Sequence, residues 1–216
     1  MTTQKPTWIP LLVLLAVAVL ALFTTSVPGA MPTEGLDTGD TAWMIVATAL
    51  VLIMTPGLGF FYGGMVGKKN VISTMLQSFI SLGVVSLLWV VVGFSLSFGD
   101  SLGFEIGGIH YGIIGNPMDY FFMDNVGALP HKQLATTIPF VLFALFQMKF
   151  AVITPAIITG SFAERVRFIG YLFFICLFTL FIYTPLCHMV WHPNGLLGSY
   201  FGVKDFAGGT VVHMSA

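Results

Sequence analysis

Four windows without a single Asp, Glu, Lys or Arg, at 6–33, 41–67, 70–99 and 168–203, constrain this chain more than any other feature. Each exceeds the ~20 apolar residues that a helix needs to cross a bilayer. Hydrocarbon offers no partner to an unpaired backbone amide, so only helices and closed barrels can occupy it. Charged residues make up 8% of the chain and hydrophobic ones 56%, against about 25% charged in soluble domains. A water-soluble fold with this balance would precipitate. The formal net charge of −1 includes no basic tract, which excludes nucleic acid as a partner, because such binding needs clustered Lys and Arg to neutralise phosphates.

The apolar run 8–27 follows a weakly basic start at Lys5. Residues 1–30 therefore read as a signal peptide, with Val27-Pro28-Gly29 a loose cleavage site, or as an uncleaved first span. Either choice puts the acidic linker at 28–41 on the external side of a cell (inner) membrane. Further spans are expected at 42–63, 71–98, 134–160 and 169–190, with a last one from about 205 that is still running at Ala216. The fold class is thus an all-α, polytopic membrane bundle. Lys68, Lys69, Arg165 and Arg167 make loops 64–70 and 161–168 cytoplasmic by the positive-inside rule. Asp100, Glu105, Asp119 and Asp124 crowd the outer loop 99–133, which is either a plain surface loop or a cover for the outer mouth.

Polar residues inside the spans carry the functional signal. His213 lies about eight residues into the last span, where an ionisable group is a functional candidate by default. Asp205, Gly209 and His213 are spaced i, i+4 and i+8, along one stripe of a continuous helix. Asp205 also reads as an N-cap. Trp191 at the outer end of its span is an ordinary interface anchor, or a ring that holds a cation through its π face. Gln147 and Lys149 sit near the middle of span 134–160, and Phe150 beside them reads as filler when taken alone. His188 and His192, followed by Pro193 and Gly195, read as a turn. Cys176 and Cys187 are roughly 16 Å apart along one helix, too far for a disulfide. Gly59, Gly63 and Gly67 clear one helix face for close packing. Neither zinc spacing, a phosphate loop nor a nucleophile elbow is present, so the sequence supports no enzyme and calls for no cofactor.

Four longer stretches give a more specific reading: GDTAWMIVATALVLIMTPGLGFFYGGMVGKKNV from Gly39, FALFQMKFAVITPAIITGSFAERVRF from Phe143, CHMVWHPNGLL from Cys187 and DFAGGTVVHMSA from Asp205. With them the chain resembles the Amt branch of the Amt/Rh ammonium transporters from about Asp40 to Ala216. The resemblance implies a homotrimer of eleven-helix subunits, each built from two inverted five-helix repeats plus a last helix. Residues 40–216 would be the N-terminal part of that domain, ending within the fifth mature helix, as in a fragment of a longer reading frame.

Position by position, Trp191 is similar to the aromatic wall of the family's external ammonium site and Phe150 to the ring that closes its floor. Asp205 is similar to the supporting carboxylate and His213 to the first of two pore histidines. The implied function is recruitment of ammonium, its deprotonation and conduction of ammonia through a narrow apolar pore. An ammonium sensor or a non-conducting fragment is the alternative, and a cytoplasmic P-II-type protein is the implied regulatory partner. Lys149 departs from the family pattern and is expected to point away from the pore.

Overall fold

The computed structural model describes residues 35–216 and, ahead of them, Leu12, Leu15, Ala16 and Val19. Segment 1–30, apart from those four positions, lies outside the described residues, and with it the choice between signal peptide and first span.

Among the described residues, four helices are long and apolar enough to cross a membrane: α1 (Thr38–Gly63), α2 (Lys68–Phe98), α3 (Phe140–Phe162) and α4 (Phe168–Trp191). They match the four complete spans read from the sequence, with informative shifts at two ends. Helix α1 starts earlier than expected because Asp37 caps it, its Oδ1 accepting the Asp40 N–H at 2.7 Å. Helix α3 starts later, at Phe140, because Pro139 precedes it. A proline has no N–H to donate and holds the residue before it extended, so 134–139 cannot join the helix. The last segment, α5 (Gly209–Met214), is a π-helical turn entered through Gly208 in the left-handed region at φ 77. Asp205 therefore precedes the helix, which corrects the expected span from about 205.

Two internal π-helical turns, Trp89–Gly93 in α2 and Thr179–Tyr183 in α4, face one another, with the Trp89 and Tyr183 rings 6.4 Å apart. The core forms around them: Trp89, Phe94, Phe98, Ala144, Val152 and Tyr183 are all buried. Polar groups on neighbouring helices join the packing. Trp89 Nε1–H donates to Ala144 O at 3.1 Å, and the Ser81 hydroxyl donates to Val152 O at 2.8 Å. Such bonds supply what the hydrophobic effect cannot supply between helices in lipid. Two of the three expected packing glycines fit α1 against α2. A Cβ on Gly63 would lie 2.8 Å from Met75 Cγ, and one on Gly59 would lie 3.5 Å from Met75 O.

Gly67 serves a different contact. Its N–H and the Asn70 Nδ2–H both donate to Glu164 Oε1, each at 2.8 Å. Loops 64–70 and 161–168 thus lie at the same end of the bundle, as the positive-inside rule requires. The Asn70 and Gly67 bonds hold the Glu164 carboxyl below its ordinary range.

The stretch between α2 and α3 contains a β-hairpin, β1 (Ser101–Ile106) and β2 (Ile109–Gly115), paired antiparallel. Gly107 and Gly108 form its turn at φ 61 and 81, the pair of positive angles that a two-residue type I′ turn requires. The helical bundle thus carries a small two-stranded hairpin within its outer loop, and of the two readings of that loop the plain surface loop is the one corrected. The hairpin does cover the end of α4: Gly112 N–H donates to Asn194 O at 2.8 Å and Gly112 bridges to Gly195.

Candidate functional site

At the end of α4 lies a cavity of about 370 Å³ whose wall includes Phe98, Phe146, Gln147, Phe150, Trp191 and Asp205. Helix α3 supplies Phe146, Gln147 and Phe150, which share a face because residues four apart stack along a helix. The last residue of α4 supplies Trp191, and the loop before α5 supplies Asp205. Phe150 and Trp191 meet edge to face with centroids 6.2 Å apart, and Phe146 meets Phe150 at 5.0 Å. Three of the four expected site residues therefore share one cavity. Lys149, next to Phe150 in sequence, is not in its wall.

The two carboxylate oxygens of Asp205 differ in their surroundings. Its Oδ2 accepts the Thr210 N–H at 3.1 Å and the Val211 N–H at 2.9 Å, so it caps α5. Its Oδ1 is buried and has no hydrogen-bond donor among the described residues. Gln147 Oε1 is likewise buried without a donor. Sequence reading left Gln147 without a role, although a carboxamide in mid-span was itself a signal. A carboxylate residue and two aromatic rings in one lining make a chamber suited to a small cation. Carboxylate charge and ring quadrupole both attract positive charge, and a partly dry wall strengthens each.

His213 does not join this group. Its backbone N–H donates to Gly208 O at 3.0 Å, and its side chain is exposed, whereas its neighbours Val211 and Val212 are buried. The reading of a buried histidine is thus corrected for the chain as it stands. The Asp205–Gly209–His213 stripe also fails as a continuous helix face, because Asp205 lies in the entry loop. Gly209 nonetheless borders the carboxylate, since a Cβ there would sit 3.9 Å from Asp205 Oδ1.

The two histidines around Trp191 are more than a turn. His188 belongs to the last turn of α4 and is fully buried, and His192 follows the helix and stacks on it at 4.4 Å. Ser101 Oγ lies 2.9 Å from His188 Nε2 and 3.1 Å from His192 Nδ1. Among the described residues no group of three His, Cys, Asp or Glu side chains is placed to hold a metal. Cys176 and Cys187 are both free thiols.

Residues 42–216 match the Ammonium Transporter Family. An ammonium transporter of Bacillus subtilis is 45% identical over 187 residues, which cover 84% of this chain and 42% of that protein. One from Mycobacterium tuberculosis is 42% identical over 200 residues, covering 83% of this chain and 40% of its own length. Among solved structures, Saccharomyces cerevisiae Mep2 superposes with a TM-score of 0.72 at 32% identity, covering 84% of this chain and 38% of that one. A structure described as a Sensor Amt Protein superposes at 0.66 with 34% identity, covering 80% and 40%. The chain spans about two fifths of the length of the curated relatives it matches.

Proposed function

Because the chain belongs to the Ammonium Transporter Family, we propose that the complete protein moves ammonium or ammonia across a membrane and that the Phe150–Trp191–Asp205 cavity is where it recruits the cation. The observation that carries this reading is the shared cavity itself, with the Phe150 and Trp191 rings and the Asp205 residue in its lining. An ammonium ion entering it gains cation–π attraction to Trp191 and electrostatic attraction to the supporting Asp205 carboxylate. Going further intact would mean taking a full charge into an apolar path, which is prohibitive unless the ion gives up its proton.

Neutral ammonia then passes to His213, whose two ring nitrogens can serve different partners. In this reading the exposed side of α5 is covered, in the complete protein, by a second inverted half that brings a further pore histidine. Three such subunits form the trimer, residues 28–41 face outward, and a P-II-type protein meets the inner loops.

Potassium is similar in size but has no proton to release, so the same step rejects it. The test is uptake of labelled methylammonium by the full-length protein in vesicles. Ammonium should compete and potassium should not, and equal competition by potassium would refute the mechanism. The likeness to a Sensor Amt Protein favours one second reading, a membrane sensor with the same cavity. Saturable binding without flux would select it.

A further inference from the structure

Ser101, the first residue of the hairpin, is held by three histidines, and the bonding there fixes a proton count. His188 Nδ1 lies 3.0 Å from Ser97 O, a carbonyl that can only accept, so Nδ1 carries the proton and Nε2 is the lone pair. His192 Nδ1 accepts the Asn194 N–H at 3.2 Å, so it too presents a lone pair toward Ser101. One serine proton therefore faces two acceptor nitrogens, at 2.9 and 3.1 Å.

A single added proton has a place, since His188 Nε2–H could donate to Oγ while the serine hydroxyl turns to His192. A second has none: both rings would be cations stacked 4.4 Å apart, in a site where His188 is fully buried and His192 is 7% exposed. The hairpin backbone is pressed against this pair, because a Cβ on Gly112 would lie 2.6 Å from His188 Nε2.

We propose that the hairpin is a pH-sensitive latch on the end of α4 beside Trp191, closed while the His188–His192 pair holds at most one added proton and released when both rings are charged. The released pair takes two protons as pH falls through the ordinary histidine range near ~6.5, so the latch is complete above that range and is lost below it.

Other charges act on the pair from each packed element. Asp100, at the end of α2, favours a charged His192, and His131 in the segment before α3 opposes it. His110 on β2 bonds through Nε2 to Ser101 O at 2.8 Å and is exposed. Cys187 adjoins His188 on α4 and is buried. Burial outweighs Asp100 and leaves the His192 imidazole below its usual range, which agrees with the sign.

The inference stands apart from the ammonium reading, since its readout is the hairpin alone. Hydrogen exchange of the 101–115 amides, Gly112 above all, is measured on the full chain at pH 7.5 and 5.5 and corrected for intrinsic chemistry. Protection should drop about ten-fold if the closed latch takes one proton and about a hundred-fold if it takes none. His192→Asn keeps an acceptor for Asn194 but takes no charge, and it should cut the drop about ten-fold, to nothing in the first case and to about ten-fold in the second. His110→Gln should leave the drop intact. Unchanged wild-type protection, an undiminished drop in His192→Asn, or a drop lost in His110→Gln would each overturn the latch. If His192→Asn fails to fold, the wild-type and His110→Gln results still decide.

Discussion

Helices α1 and α3 are both apolar enough to cross a membrane, yet they do opposite jobs. Of the most apolar window of α1, 11% is buried, against 56% for α3. Trp43, Ile53 and Phe60 on α1 are each about two thirds exposed, whereas Ala144, Ala151 and Val152 on α3 have no exposed surface. Apolarity alone says that a segment sits in lipid; it does not say which face meets other helices. Small residues and stranded polar ones carry that second message. Helix α3 has alanines where neighbours approach and Gln147 where the cavity begins, and α1 places Gly59 and Gly63 along its contact with α2.

This contrast breaks if equivalent changes on the two helices have equivalent effects. The largest expected difference concerns tryptophans. Trp89, 1% exposed and bonded to α3 through Ala144 O, should cost about 3–5 kcal/mol when changed to Ala. Trp43→Ala should stay within about 0.5 kcal/mol. Denaturant titration in a fixed detergent compares the two, and similar losses would refute the division. Next comes overpacking. Ala151→Leu should destabilise by about 1–3 kcal/mol, and Ala49→Leu on the exposed side of α1 should not. Gly63→Leu should behave like Ala151→Leu despite lying on α1, because its Cβ position is already occupied by Met75. A neutral Gly63→Leu would show that the α1–α2 contact is loose.

The smallest effect sits at the loop end of the bundle, outside both helices. The Glu164 carboxyl is held below its ordinary range by Asn70 and Gly67. The sign follows: the tie between loops 64–70 and 161–168 is complete above the usual carboxylate pKa and is lost as pH falls through the lowered folded value. Limited proteolysis should therefore cut wild-type loops slowly at neutral pH and faster in acid. Glu164→Gln should be cut at the faster rate throughout.

How much of this was legible in the sequence depended on whether one residue type carries one physical meaning. Uncharged windows located α1, α2 and α4 because a buried charge is costly in lipid, whereas α3, which contains Lys149, stood out by its apolarity alone. Their ends moved where a single cap or proline intervened, at Asp37 and Pro139. Trp191, Phe150 and Asp205 stand out as site candidates through whole motifs and not through their individual chemistry, and the structure brings them into one cavity. His213 was read as buried from its depth in an apolar run, but sequence depth gives no information about which side of α5 a neighbour covers. The hairpin has its signal in Gly107-Gly108, inside a stretch whose Gly, Asp and aromatic content otherwise predicts a loop. The π-helical turns at Trp89–Gly93 and Thr179–Tyr183 have no residue signature, because the extra residue in the turn is a matter of packing.

The cavity's role in recruiting the cation is tested most directly by one kinetic pair. Methylammonium uptake is measured in the full-length protein for Trp191→Leu and Trp43→Leu, with each variant shown to insert at wild-type levels. A desolvated cation–π contact of about 2 kcal/mol corresponds to roughly a thirty-fold rise in KM for Trp191→Leu, and Trp43→Leu should match wild type. Equal KM values for both variants would contradict the assignment of the cavity as the cation site.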